Sequence, residues 1–125
     1  MSKLTAALLA SFIFHLPAVA GPGHDHGKDH KPMNGGLFFQ AAYDYELVVK
    51  DGEVKLFVTD HGKPVSLAGA SAKLSILEGV KKTDIDLMPS GVFFSAKTGL
   101  KPVSGAKAVV QVKIGGKSST ARFTF

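Results

Sequence analysis

The chain has no cysteine and no tryptophan. Without thiols it can form no disulfide, thiolate zinc site, iron–sulfur cluster or cysteine nucleophile, so histidine, carboxylate and methionine are the strong ligand types left. Charge is sparse. Charged residues are 20% of the 125 positions, and the fifteen Lys and Arg are scattered among ten Asp and Glu, without the basic stripe interleaved with aromatics that a nucleic-acid surface needs. No nucleic-acid partner is expected. Catalytic signatures are missing as well: there is no nucleophile elbow, no zincin helix motif and no phosphate-cradling glycine loop. Asp84 and Asp86 alternate with Ile85 and Leu87, which reads as the wet face of a strand rather than a catalytic pair. The expectation is a single domain that is not an enzyme.

The first twenty residues read as a signal peptide. After Lys3 no formal charge occurs until the histidine-rich stretch, and the apolar run from Leu4 to Leu16 ends at Pro17, followed by Ala18-Val19-Ala20, a small-residue cleavage pattern. The run is too short to span a bilayer core of about 30 Å as a helix. No cysteine follows it to carry a lipid anchor. The expected mature chain starts at Gly21, is periplasmic or secreted, and inserts in no membrane once the leader is cut.

Residues 21–36, GPGHDHGKDHKPMNGG, hold five glycines, two prolines and Met33 as the only large apolar side chain. Such a segment cannot bury enough surface to offset its ordering entropy, and it is expected to be a disordered His/Gly-rich tail without a ligand. From Leu37 to Phe125 the composition turns β-branched, aromatic and alternating, with turn residues at short intervals. That pattern predicts an all-β domain, an immunoglobulin-like antiparallel β-sandwich of seven or eight short strands.

Tyr43, Tyr45, Leu47 and Val49 alternate against Asp44, Glu46 and Lys50, placing the first set inward. Asp51-Gly52 predicts a type I′ hairpin to a strand over 53–60 with Val54, Leu56 and Val58 inside. Further inward sets are Ala72, Leu74 and Ile76; Ile85 and Leu87; and Phe94. A C-terminal hairpin at Gly115-Gly116 pairs Ala108, Val110, Val112 and Ile114 with Ala121, Phe123 and Phe125. Pro89-Ser90-Gly91 predicts a turn. Gln40-Ala41-Ala42 contains no turn former, so the first two segments are expected to make one bent, nearly continuous strand that delivers the tail to the Tyr43 end, beside His61.

Chemistry concentrates in histidine. His24, His26 and His30 fall within seven residues together with Asp25 and Asp29. Imidazoles at i and i+2 between glycines can turn onto one ion, with His30 or Asp25 as a further donor, Met33 as a soft thioether and His61 as a ligand from the body. The donor set suits Cu(II) or Zn(II), with Ni(II) or Co(II) next, and offers too few oxygens for Ca(II) or Mg(II). The same composition also suits a solvated spacer, and His61 also suits an ordinary turn residue.

Tyr43-Asp44-Tyr45-Glu46-Leu47-Val48, Asp51-Gly52, the run from Leu56 to Val65 through Asp60-His61-Gly62-Lys63-Pro64, Gly105-Ala106-Lys107 and Ala121-Arg122-Phe123 resemble a group of small periplasmic proteins associated with heavy-metal efflux. In that group a His-rich tail leads through His-Gly-Gly into a β-sandwich. The resemblance covers most of residues 34–125 and implies a metal buffer or carrier supporting efflux, with a periplasmic efflux component as a possible partner. Here Asn34 precedes Gly35-Gly36 where the group tends to have histidine, which, if that histidine is a ligand, weakens the site or moves the burden to His30. The alternative is a docking module for an envelope or efflux component, with the tail only a linker.

Intact-mass measurement of the exported protein should give a chain starting at Gly21. Retention of Leu4 to Leu16 would overturn the processed, exported reading.

Overall fold

A computed structural model describes residues 30–125. Two-residue turns set its hairpins. Asp51-Gly52 (φ 54° and 76°), His61-Gly62 (φ 49° and 79°) and Gly115-Gly116 (φ 59° and 80°) place both central residues in the left-handed region. This is the type I′ geometry that matches strand twist, and Asp, His and Gly tolerate it where β-branched residues do not. The strands are β1 (Leu37–Gln40), β2 (Asp44–Lys50), β3 (Glu53–Asp60), β4 (Lys63–Pro64), β5 (Ser71–Glu78), β6 (Lys81–Ser90), β7 (Phe93–Lys97), β8 (Lys107–Ile114) and β9 (Lys117–Thr124). The described residues contain no helix.

The all-β antiparallel sandwich expected from the alternation is what forms. One sheet holds β1, β2, β3 and β7, with β4 beside β3; the other holds β5, β8 and β9. Strand β6 serves both, pairing through Leu87 with β5 and from Met88 to Ser90 with β7. The order β8-β5-β6-β7 is a Greek key, as in immunoglobulin-like sandwiches. At the opposite edge β1 approaches β9, with the Phe39 and Phe123 rings 6.2 Å apart, so the sandwich is nearly a barrel.

The core is the alternating set. Tyr45, Leu47, Val54, Leu56, Val58, Leu74, Ile76, Leu87, Phe94, Val110 and Val112 are buried between the sheets. Leu67, in the irregular link from β4 to β5, is buried as completely. Periodicity could not find it, because the link has none. Its N–H donates to Gly91 O at 3.2 Å.

Three local expectations are corrected. The first two segments form a true hairpin, with Gln40 opposite Asp44 and residues 41–43 as the loop. The apolar pairs Leu37–Leu47 and Phe39–Tyr45 on the inner face outweigh the missing turn residues. Strand β6 runs through Pro89 to Ser90, and the chain turns at Gly91-Val92 instead. Past Leu87, β6 has left β5 and pairs only with β7, and such an edge position can accept a residue without an N–H. Finally, residues 30–36 lie against the outer face of β2, as detailed below.

Tyr45 is buried in the sandwich, with its hydroxyl 2.6 Å from Ser119 Oγ. Burial raises its pKa above the ordinary 10.0, while the Ser119 hydrogen bond opposes the rise. A group whose folded pKa is raised contributes stability that is present below the unfolded value and lost as pH rises through the folded one. Denaturant unfolding at rising pH should therefore show a loss of stability above about pH 10 that Tyr45→Phe lacks. That variant should cost about 1 kcal/mol at neutral pH, the value of the hydrogen bond.

Candidate metal centre

Strand β2 sends Tyr45 and Leu47 inward, so Asp44 and Glu46 project from the outer face of the sheet. The alternation assigns both to solvent, yet they are only 3% and 5% exposed. The cover is the end of the tail. Leu37 pairs with Leu47, halfway along β2, and Gly35, at φ 70°, reverses the chain so that residues 34 back to 30 run along β2 towards Asp44. Only glycine fits at position 36, where a Cβ would stand 2.5 Å from Leu47 O and 2.7 Å from Val48 Cγ2.

Glu46 is enclosed by hydrogens from this segment. Its Oε2 accepts from Gly36 N at 2.7 Å and Asn34 N at 2.8 Å; its Oε1 accepts from Met33 N at 2.9 Å and Asn34 Nδ2 at 3.1 Å. Asn34, where the resembled group tends to have histidine, thus contributes to a carboxylate cradle. Asp44 is served by the imidazole of His30, whose Nδ1 donates to Oδ2 at 2.6 Å. The His30 side chain is 12% exposed and that of Asp44 2%.

His61 sits at the first position of the β3–β4 turn. Because β2 and β3 are antiparallel with Asp44 opposite Thr59, the turn that follows overhangs Asp44. The two imidazoles meet there edge to face, their centroids 5.4 Å apart at 71°. His61 is 72% exposed, with Nε2 3.7 Å from Asp60 Oδ1. The tail and His61 are neighbours, as expected, but by a different route: the hairpin at 41–43 points the tail away, and Gly35 brings it back.

Of the sequence-derived candidates, His30 and His61 are brought together. Met33 lies in the same segment, 73% exposed, and its N–H rather than its sulfur contacts Glu46. His24, His26 and Asp25 lie outside the described residues. Among the described residues no three His, Asp or Glu side chains are grouped closely enough to hold an ion. A cavity of about 260 Å³ opens beside the buried carboxylates, lined by Phe38, Phe57, Thr59, Met33 and Pro64. A groove of about 460 Å³ on the other sheet, along Lys73, Asp86, Gln111 and Thr120, carries no histidine.

Sequence reasoning missed Asp44 and Glu46 as parts of the site. The available signal was two carboxylates at i and i+2 on one strand face, a few residues after an Asn-Gly-Gly run rich in accessible N–H groups.

A neutral His30 ring that donates from Nδ1 to Asp44 has its acceptor nitrogen at Nε2, and the carboxylate fixes the ring's direction. No protein family, curated protein or solved structure matches the chain.

Proposed function

We propose that the protein is an exported transition-metal-binding protein, a periplasmic buffer or carrier supporting heavy-metal efflux. It holds Cu(II) or Zn(II) through His30 and His61, with His24 and His26 completing the ligand set. The observation that carries this reading is the pairing of His30 with His61 while Asp44 holds His30 from behind. Metal-binding histidines almost always donate their second ring nitrogen to a carboxylate, carbonyl or water, which orients the ring and raises its basicity. The spacing is suitable. Two imidazoles on one ion, each with a metal–nitrogen bond of about 2.0 Å, bring their centroids to about 5–6 Å; here they are 5.4 Å apart.

A docking module remains the second reading. It is favoured by the tilted Phe57–Phe93 pair, centroids 5.5 Å apart, and by Met88 and Val92, 66% and 43% exposed. The two readings separate in solution, because a buffer binds metal alone and a docking module binds none until its partner is present.

Calorimetric titration of the mature protein with Cu(II), Zn(II), Ni(II) and Co(II) should show binding that weakens as pH falls from about 7 to about 5, since each imidazole must lose its proton to coordinate. His61→Ala should lower affinity about tenfold or more. Replacing His24, His26 and His30 together by alanine should remove most binding and leave the sandwich folded, because residues 30–36 place no side chain in the core. Wild-type affinity in both variants, or no binding by the wild type, would overturn the reading.

A further inference from the structure

The segment that carries His30 has little apolar attachment to the body. Met33 is 73% exposed, Lys31 and Pro32 are exposed, and Gly35 and Gly36 have no side chain. Hydrogen bonds to Asp44 and Glu46 hold it to the body. Asp44 holds His30 itself. Glu46 holds Asn34 and Gly36, together with Met33 N, and bonds neither imidazole.

We infer that Glu46 is a positioning residue. Its carboxylate latches the Asn34-Gly35-Gly36 turn so that the tail doubles back along β2 and sets His30 against His61 before any metal arrives. This rests on the metal-binding reading of the same imidazole pair. The chemistry is that of a carboxylate in a backbone anion cradle: both oxygens accept from N–H groups at 2.7–3.1 Å, and charge-assisted bonds of this kind are about twice as strong as neutral ones. Because Glu46 lies on the outer face of the sheet, opening the latch returns the carboxylate to water and leaves the core intact. The latch can therefore be removed without unfolding the domain.

Two substitutions open it from opposite sides. Glu46→Gln turns one acceptor into an NH2 that faces N–H donors. Gly36→Ala keeps the carboxylate but puts a Cβ 2.5 Å from Leu47 O, forcing the turn away. In the metal-free wild type, proton NMR should show a nuclear Overhauser effect between the His30 and His61 rings. Both variants should lose it while keeping the wild-type core spectrum. Both should bind Cu(II) and Zn(II) about tenfold to a hundredfold more weakly. Their Cu(II) paramagnetic resonance spectra should match that of His30→Ala. A ring-to-ring effect that persists in both variants overturns the latch, whatever the affinity. Loss of the effect with wild-type affinity supports the latch and overturns the imidazole pair as the metal site.

Discussion

Two carboxylates stand side by side on the outer face of β2, and the protein covers both. Covering an ionised carboxylate without supplying hydrogens costs several kcal/mol. Every nearby feature can be understood as supplying them. Glu46 is served by backbone N–H groups that only a tightly turned, side-chain-poor segment can bring so close, which accounts for Gly35 in the left-handed region and for the absence of room for a Cβ at Gly36. Asp44 is served by His30. The tail's end is held by polar bonds where the core is held by apolar contact.

That difference explains what was legible in the sequence. Alternation located Tyr45, Leu47, Leu56, Leu74 and Phe94 because each strand residue declares its face by polarity, and the dipeptides Asp51-Gly52 and Gly115-Gly116 declared their turns by tolerance of positive φ. The segment 30–36 declares nothing of the kind. Its attachment uses backbone hydrogens, which every residue but proline possesses, so its composition resembles that of a solvated tail. Disorder was the physical expectation for residues that bury no apolar surface. It fails for 30–36 because their N–H groups match a carboxylate located ten residues further on, a match that no local pattern encodes.

The hairpin at residues 41–43 teaches a related lesson. Turn chemistry argued against it, and inner-face pairing of Phe39 with Tyr45 prevailed. The consequence drawn from the missing turn, that tail and His61 meet, survives for another reason. Strand β3 runs antiparallel to β2, so Asp60-His61 must end near Asp44, and any device that returns the tail along β2 reaches the same corner. The Glu46 cradle is that device. Topology set the meeting point, and a polar contact set the path.

On the proposed reading, the cradle also bears on which ions suit the corner. The buried carboxylates there, Asp44 and Glu46, are both engaged, Glu46 by four N–H groups and Asp44 by the ring it orients, while the exposed Asp60 stands beside His61. Using either as a direct ligand would break bonds that hold His30 in place. A hard ion that demands six or more oxygens would find the exposed carboxylate of Asp60 and would have to take further oxygens from groups the fold has already committed. On that reading an ion bound by imidazole nitrogen leaves both carboxylates with their hydrogen bonds, and Asp44 strengthens its ligand. On the proposed reading, then, buried oxygen that orients nitrogen would favour Cu(II) and Zn(II) over Ca(II) and Mg(II) by the same contacts that pin residues 30–36 to the sheet.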